Sequence, residues 1–277
     1  MKADLHLHST ASDGRLSPED VVRTAAHLGL AVISLTDHDS VDGIASALKA
    51  AGQYPSLTVI PGVEVSTDVP HGEVHVLGYF IDHTNPELII KLAAFRNSRK
   101  VRAQKMIDKL ATMGVHIEWT RVQDIAGAGS VGRPHIAQAM LEKGYIPNLK
   151  EAFNRYIGRE APAYVEREKM TPEEVVELIT QVGGLAVLAH PAQIDDLERL
   201  IPHLQRVGLV GVEAYYNSYP PKTIQYLASV AHKHALVATG GSDFHGMDSA
   251  TETPIGGVSI PPECIARLMA LNGKRHS

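Results

Sequence analysis

Short apolar runs alternate with longer amphipathic stretches along most of the chain. Runs such as Ala31–Thr36 and Leu185–Ala189 are almost continuously hydrophobic, which is typical of strands buried on both faces of a sheet. The stretches that follow carry apolar residues three and four positions apart, the spacing of one helix face. One of them opens with Ser17 and Pro18, residue types favoured as the N-cap and first residue of a helix. Repeated strand–helix units of this kind predict a parallel sheet covered by helices.

The number of these units indicates how the sheet is arranged. About seven strands are predicted, which favours a closed or nearly closed α/β barrel. In such a barrel the functional side chains lie at the carboxyl ends of the strands. The predicted strands are Ala3–His8, Ala31–Thr36, Leu57–Pro61, Glu73–Phe80, Leu185–Ala189, Val210–Ala214 and Leu236–Thr239.

Residues 86–170 interrupt this alternation with helical patterns alone. We therefore predict a barrel domain formed by residues 1–85 and 171–277. The intervening residues are predicted to form a helical insertion that caps the active site. The helical patterns within it cover Pro86–Met113 and lie near residues 120–127, 133–143 and 148–156.

Most of the predicted strands end in a histidine or an acidic residue. Side chains alternate along a strand, so His6 and His8 point to the same face and can share a metal ion. Asp4 lies on that face too, where its carboxylate can orient a ligand histidine. The strand Val210–Ala214 contains a further acid, Glu213, to which we assign no role. The shared location of these residues predicts a metal site whose ligands are His6, His8, Asp13, His38, Glu64, His75, His190, Asp243 and His245.

The size of this set predicts more than one ion. One zinc ion takes three or four protein ligands, so nine donors suit two or three divalent ions with a bridging carboxylate. Imidazole and carboxylate ligands without thiolate admit Mn, Zn or Fe. The expected cofactor is therefore a cluster of divalent metal ions.

Composition narrows the class of protein further. The formal net charge of −5 gives no basic surplus, so we expect no long nucleic acid as a partner. Cys264 is the only cysteine, which excludes a cysteine-rich zinc site and fits a reducing compartment. No apolar run approaches the roughly 18–20 residues of a membrane span. The N-terminus lacks the apolar stretch of a signal peptide, so we expect a cytoplasmic protein with no membrane partner.

A set of ordered motifs runs from residue 3 to about residue 260. These motifs are Asp4-Leu5-His6-Leu7-His8-Ser9, Ser12-Asp13-Gly14, Thr36-Asp37-His38-Asp39, Gly62-Val63-Glu64, His75, Ala189-His190-Pro191 and Gly241-Ser242-Asp243-Phe244-His245. In them the chain resembles the PHP (polymerase and histidinol phosphatase) family. The resemblance implies a distorted (β/α)7 TIM-like barrel, the PHP fold, with a site for three metal ions.

The resemblance also implies how the ligands divide among the ions. Every ligand position of the family that we can identify is filled, which implies an active site. The first ion would take His6, His8, Glu64 and Asp243; Glu64 would bridge to a second ion held by His75 and His190; the third would take Asp13, His38 and His245.

Within the insertion, Gly132-Arg133-Pro134-His135-Ile136-Ala137 resembles a stand-alone subgroup that acts on nucleotides. Its members are 3′,5′-nucleotide bisphosphate phosphatases and the 5′→3′ exoribonucleases called RNase AM. Arg133 suits a substrate phosphate through its planar, bidentate guanidinium. His135 can bind the same phosphate or donate a proton to the leaving group, and Asp243 can assist proton transfer beside its metal. We interpret three further arginines on one helix face as solvated: Arg96, Arg99 and Arg102.

We therefore expect a metal-dependent phosphoesterase in which a metal-bridged hydroxide attacks phosphorus. The expected substrate is a nucleoside 3′,5′-bisphosphate, which yields the 5′-monophosphate and inorganic phosphate, or the 5′ end of a short RNA. Other functions stay open. They are a small-metabolite phosphatase such as histidinol phosphatase, a non-catalytic metal-binding PHP module, and a metal-dependent amidohydrolase that acts on C–N bonds.

Overall fold

The computed structural model describes residues 1–69, 72–127, 131–166, 170–247 and 252–275. The chain divides into two compact units. The first comprises Met1–Ile90 and Lys169–Ser277, and the second comprises Lys91–Glu168. Each unit has hydrophobic core residues of its own.

The first unit is built on a seven-stranded sheet whose strands pair in the order of the sequence. The strands are β1 (Ala3–Leu7), β2 (Val32–Leu35), β3 (Thr58–Val69), β4 (Gly72–Tyr79), β5 (Leu185–Ala189), β6 (Leu209–Tyr216) and β7 (Val237–Gly241). Pairing is parallel from β1 to β3 and again from β5 to β7. Leu7 at the end of β1 forms a parallel bridge with Phe244, which follows β7. The sheet thus nearly closes into a barrel, as the sequence predicts.

The expected all-parallel sheet is wrong at β4. Strand β3 continues to Val69, beyond its predicted end at Pro61, and β4 runs antiparallel to both β3 and β5. Only two residues separate Val69 from Gly72. A parallel connection needs a crossover of about a dozen residues or more, so the short connection dictates a hairpin. The reversed direction of β4 carries its early residue His75 next to Ala189, at the carboxyl end of β5.

Side-chain caps precede two of the helices, and the first of them is the predicted cap, Ser17. The Ser17 side chain accepts a hydrogen bond from the Asp20 N–H ahead of the first helix. Thr171 and Glu174 form a reciprocal capping box ahead of a later helix. The helices are α1 (Pro18–His27), α2 (Ile44–Ala51), α3 (Pro86–Thr112), α4 (Trp119–Ala126), α5 (Arg133–Glu142), α6 (Leu149–Ala152), α7 (Pro172–Gln181), α8 (Leu197–Arg206), α9 (Pro221–Lys233) and α10 (Pro262–Arg275).

Buried apolar side chains fix the strands of the first unit. Ile33 and Leu35 of β2 share a cluster with Val21 and Val22 of α1. Burying each such side chain contributes about 1.5–3 kcal/mol to folding. A second cluster joins Leu5, Val32, Ile60, Leu77, Val187 and Val237 from six of the strands. The core therefore holds the strand ends, and the polar residues on them, in fixed relative positions.

The second unit is helical and packs around its own apolar cluster. Most of α3 belongs to it, together with α4, α5 and α6, and a short π-helical turn, Phe153–Ile157, follows α6. Met106, Val122 and Ile136 are buried in this cluster. Arg102 of α3 is only 5% exposed. The solvated face predicted for the three arginines is therefore wrong at Arg102, which is buried like its neighbour Ala103.

Over the described parts of the chain, no helix is both long enough and apolar enough to cross a membrane.

The contact between β7 and β1 gives a test of the nearly closed barrel. A Cβ atom on Gly241 would lie 2.3 Å from His6 Cβ and 2.5 Å from His6 N. We expect Gly241→Ala to lower the free energy of unfolding of the metal-free protein by about 1–3 kcal/mol, because the added methyl group has no room. Urea unfolding followed by circular dichroism measures this change. Gly273→Ala in α10 is the control, since a Cβ there meets nothing within 4 Å. Equal free energies of unfolding for Gly241→Ala and Gly273→Ala would contradict the close contact between Gly241 of β7 and His6 of β1.

Candidate metal centre

The buried carboxylate of Glu64 lies at the centre of a histidine cluster. Its Oε2 atom is 3.1 Å from His6 Nε2 and 3.2 Å from His8 Nε2. The same oxygen is 3.2 Å from His38 Nδ1. Glu64 lies within β3 rather than after it, and its side chain is completely inaccessible to solvent. Its position brings together histidines that follow or end two neighbouring strands, β1 and β2.

The other oxygen of Glu64 faces two further histidines. Its Oε1 atom is 2.7 Å from His75 Nδ1 and 3.0 Å from His190 Nε2. His75 reaches this place because β4 runs in reverse and pairs it with Ala189, immediately before His190. One carboxylate therefore contacts five histidines, three through one oxygen and two through the other.

Asp243 supplies a second carboxylate to the same cluster. Its Oδ1 atom is 3.2 Å from His6 Nε2 and 3.0 Å from His8 Nε2. Asp243 follows β7, the last strand, whereas the two histidines belong to β1 and the residue after it. The carboxyl ends of the first and last strands thus meet at one set of donor atoms.

Asp13 supplies a third carboxylate from the loop between β1 and α1. Its Oδ1 atom is 3.4 Å from His245 Nε2 and 3.8 Å from His8 Nδ1. Its Oδ2 atom is 3.9 Å from His38 Nε2. These longer separations leave the donor atoms near one another without direct hydrogen bonds between most of them.

The structure brings all nine predicted ligands into one cluster. Three groups of donor atoms, each spanning at most 4.8 Å, occur among the described residues: His8, Asp13, His38 and His245; His6, His8, Glu64 and Asp243; and His38, Glu64 and His75. The second group is the set expected for the first ion. The first group adds His8 to the set expected for the third ion. The last group contains His38 together with Glu64 and His75 of the set expected for the second ion. His190, also expected for that ion, is not in this group but contacts Glu64. The ligand assignment for each ion stays a prediction.

Several donor atoms in the cluster fit a metal better than they fit the protein alone. Among the described residues, five buried atoms of the cluster make no hydrogen bond of good geometry despite their short contacts: His8 Nδ1 and Nε2, His38 Nδ1, Asp13 Oδ1 and Asp243 Oδ1. Such atoms normally cost free energy, so native proteins rarely leave them unsatisfied. Nitrogen and oxygen donors of this kind are the ligands of divalent cations. The residues present therefore fit divalent metal ions.

The electrostatics of the cluster also favour cations. Burial would raise the pKa of Glu64, yet the neighbouring imidazoles, His38 foremost, hold it well below its usual range. Burial would lower the pKa of His8, but Asp243 and Glu64 outweigh this and raise it to about 10. At His38 burial dominates and lowers the pKa to about 4. The carboxylates are thus ionised inside a low-dielectric site, which attracts positive charge.

Two predicted ligands have a backbone conformation that is uncommon for residues other than glycine. His190 has φ 28° and ψ 55°, and Asp243 has φ 53°. Such conformations persist only where surrounding contacts hold them, and they concentrate at functional sites. In both cases the residue comes directly or almost directly after a strand, where the turn aims the side chain into the cluster.

Arg133 and His135 belong to the second unit, at the start of α5. The Arg133 guanidinium carbon lies 5.8 Å from the centroids of both the Phe153 and Tyr164 rings. The Gly132 N–H donates to His135 Nδ1 at 2.9 Å, and the His135 side chain is buried. Their part in binding phosphate stays a prediction.

Comparison with known proteins identifies the family. Residues 4–166 match the PHP domain, which is more than half of the chain. The chain belongs to the PHP family. The resemblance to this family seen in the sequence is therefore confirmed.

Relatives of this PHP protein carry hydrolase names. It is 34% identical over 247 residues to the 5′-3′ exoribonuclease Rnm of Escherichia coli (strain K12), covering 87% of this chain and 84% of that one. It is 32% identical over 271 residues to the 3′,5′-nucleoside bisphosphate phosphatase of Chromobacterium violaceum, covering 94% and 93%. A solved structure of an amidohydrolase from Chromobacterium violaceum, with bound sulfate and no metal, matches with a TM-score of 0.86 and 31% identity, covering 98% and 97%. The barrel fold and the phosphoesterase class are thereby confirmed.

The group that orients the His6 ring in this PHP domain is Glu213 rather than Asp4. Asp4 accepts hydrogen bonds from the backbone N–H groups of Ser242 at 2.9 Å, Gly256 at 2.8 Å and His6 at 3.3 Å. It therefore ties β1 to the segment after β7 and does not touch an imidazole. Glu213 Oε1, in contrast, lies 3.0 Å from His6 Nδ1. The signal for Glu213 in the sequence is an acid placed between apolar residues of a buried strand.

Two further supporting groups were not assigned from the sequence. The Tyr216 hydroxyl donates to Asp243 Oδ2 at 2.7 Å, which leaves Oδ1 to face the histidines. Asp37 accepts from the Ser9 and Ser12 hydroxyls at 2.7 and 2.6 Å, which orders the loop that carries Asp13. The Thr36-Asp37-His38-Asp39 motif marks Asp37, whereas no motif marks Tyr216.

The central position of Glu64 predicts the effect of replacing it. We expect Glu64→Gln to weaken divalent-metal binding by more than about 100-fold, because an amide offers one uncharged oxygen. This exceeds the loss of about 10–100-fold that follows removal of a residue that only hydrogen-bonds to a metal ligand. Metal content of dialysed protein, measured by mass spectrometry, checks this. Glu118→Gln, an exposed change, should keep the wild-type content. Wild-type metal content in a folded Glu64→Gln protein would contradict the central role.

Proposed function

We propose that this chain hydrolyses phosphate esters of nucleotides. The substrate would be a nucleoside 3′,5′-bisphosphate, which loses its 3′-phosphate as inorganic phosphate, or a short RNA attacked at its 5′ end. The observation that carries the proposal is the cluster around Glu64, where imidazoles and carboxylates from separate strands converge. Relatives named as a nucleoside bisphosphate phosphatase and as an exoribonuclease support the nucleotide substrate.

A site for three divalent ions accounts best for the three groups of donor atoms. The absence of thiolate ligands suits Mn, Zn or Fe. When bound, such ions polarise the phosphate oxygens and supply a hydroxide nucleophile near neutral pH. The protein would contribute by holding the metal-binding side chains in position: Glu64 lies at their centre, and the Tyr216 hydroxyl donates a hydrogen bond that orients Asp243. We also assign assistance in proton transfer to Asp243, and the position of its Oδ1 atom facing the cluster supports this role.

We assign phosphate binding to Arg133 and His135. The aromatic rings of Phe153 and Tyr164 restrict the Arg133 side chain while its positive charge is kept. Because Gly132 donates to His135 Nδ1, a neutral His135 ring carries its proton on Nε2. That proton suits a phosphate oxygen or the leaving oxygen of the nucleoside. The single cysteine, Cys264, fits a reducing compartment, and we place the reaction in the cytoplasm.

Other chemistry is distinguished by substrate. A metabolite phosphatase would prefer a compound such as histidinol phosphate. The name of the amidohydrolase from Chromobacterium violaceum makes C–N hydrolysis worth testing. A non-catalytic module would bind metal without any turnover. The nucleotide proposal is favoured because a phosphate-binding arginine is expected for phosphate esters and has no evident use in an amidohydrolase.

A turnover panel on metal-analysed protein tests the proposal. The panel contains 3′,5′-adenosine bisphosphate, AMP, 5′-phosphorylated RNA oligomers, histidinol phosphate and a set of amides. We expect the bisphosphate or the RNA to have the highest kcat/KM, because both place a scissile phosphate ester beside a second phosphate.

Two variants serve as controls for the panel. His8→Ala and Asp243→Ala should abolish turnover while the proteins stay folded, because each removes a central donor. Faster turnover of histidinol phosphate or of an amide than of every nucleotide would replace the proposal. Absence of turnover with any divalent metal would favour the non-catalytic module.

The proposed role of Arg133 predicts a selective loss. We expect Arg133→Ala to raise KM for 3′,5′-adenosine bisphosphate about 30-fold, since a charge-assisted hydrogen bond contributes about 2 kcal/mol. Arg155→Ala is the matched control, because Arg155 also lies over an aromatic ring, that of Tyr156 at 5.2 Å, in the same unit. Steady-state kinetics of both variants measures the difference. Equal effects of the two changes would remove Arg133 from substrate binding.

A further inference from the structure

Glu213 of β6 is a completely buried carboxylate behind the histidine cluster. Its Oε1 atom lies 3.0 Å from His6 Nδ1. Its Oε2 atom accepts a hydrogen bond from the backbone N–H of His190 at 2.8 Å. The two oxygens therefore hold two different elements, strand β1 and the turn that follows β5.

The two histidines that Glu213 holds approach different oxygens of Glu64. His6 Nε2 is 3.1 Å from Glu64 Oε2, whereas His190 Nε2 is 3.0 Å from Glu64 Oε1. A carboxylate between two ions would offer one oxygen to each. Glu213 would then support one histidine on each side of Glu64.

Each contact of Glu213 has a distinct physical effect. At His6, the carboxylate beside Nδ1 keeps the ring proton on that nitrogen, which leaves the Nε2 lone pair free to bind metal. At His190, the hydrogen bond restrains a backbone with φ 28° and ψ 55°, a conformation that needs support. One contact thus sets a tautomer, and the other sets the direction of a strained turn.

Building on the proposed function, we infer that Glu213 is a positioning residue that couples two metal sites, one on each side of Glu64. Losing it loosens His6 and His190 together, so metal affinity falls at two sites rather than at one. Among the described residues, the other supporting acids and hydroxyls do not hydrogen-bond to both His6 and His190. Among the described residues, Asp4 hydrogen-bonds the backbone of His6 and Gly256 and both the backbone and side chain of Ser242, and Tyr216 donates its hydrogen bond to Asp243.

Glu213→Gln tests the coupling directly. An amide has one acceptor oxygen and one donor NH2 group, so it cannot accept from both His6 Nδ1–H and the His190 N–H in either orientation. Metal-free protein is titrated with Co²⁺ in competition with a chelator, and the visible absorption of bound Co²⁺ is recorded. We expect at least two binding steps to weaken about 10–100-fold, with a changed absorption spectrum. Glu213→Ala, which loses both contacts, should weaken them further.

Two controls separate positioning from a general loss of structure. Tyr216→Phe removes only the hydrogen bond to Asp243 Oδ2, and we expect it to weaken a single step. Thermal unfolding of the metal-free proteins should show a loss of stability in Glu213→Gln that is smaller than its combined loss of Co²⁺ binding free energy at the two steps, because one buried donor loses its acceptor. Unchanged Co²⁺ affinity in Glu213→Gln, or weakening of one step alone, overturns the inference. Destabilisation of metal-free Glu213→Gln that matches its loss of affinity also overturns it.

The result is independent of turnover. Co²⁺ affinities are measured without substrate, so they judge Glu213 whatever the chain hydrolyses. A wild-type protein that binds Co²⁺ tightly and hydrolyses no member of the substrate panel overturns the proposed function and leaves the coupling in place.

Discussion

The contact between the buried carboxylate of Glu64 and five imidazoles is the constraint on which the rest of the first unit depends. An ionised carboxylate without solvent is costly unless opposite charge or hydrogen-bond donors surround it. The histidines around Glu64 come from β1, β2, β4 and the turn after β5, so the contact exists only when these elements are correctly paired. The apolar clusters supply the stability that holds this polar site together.

Backbone direction decides which residues reach the site. Parallel strands deliver their last residues to it, as β1 does with His6 and β7 does with Asp243 just beyond its end. The reversed strand β4 delivers an early residue, His75, through its register with Ala189. The sheet therefore departs from the regular parallel barrel without moving the edge where the ligands gather. Uncommon backbone conformations at His190 and Asp243 complete the approach of the side chains.

Sequence alone predicts the barrel and the residues that converge, because strand periodicity and terminal histidines are local signals. The direction of β4 does not follow from the predicted strands, because the third of them ends at Pro61 and excludes the alternating Val63, Val65 and Thr67 that extend β3. No role for Glu213 follows from the sequence, because its partner His6 lies 207 positions away and no spacing rule connects them. Burial of Arg102 depends on tertiary packing, which helix periodicity does not report.

The meeting of the first and last strands has a consequence for the lifetime of the protein. His6 and His8 lie near one end of the chain, and both contact Asp243, which lies near the other end. A nearby hydrogen bond joins Asp4 to Ser242 across 238 positions. An ion bound there would act as a reversible cross-link between distant parts of the sequence, and it would stabilise the folded state in proportion to the logarithm of its free concentration. The metal-free protein would then unfold more often and be degraded faster by proteases, so metal supply would affect the amount of folded protein as well as its activity.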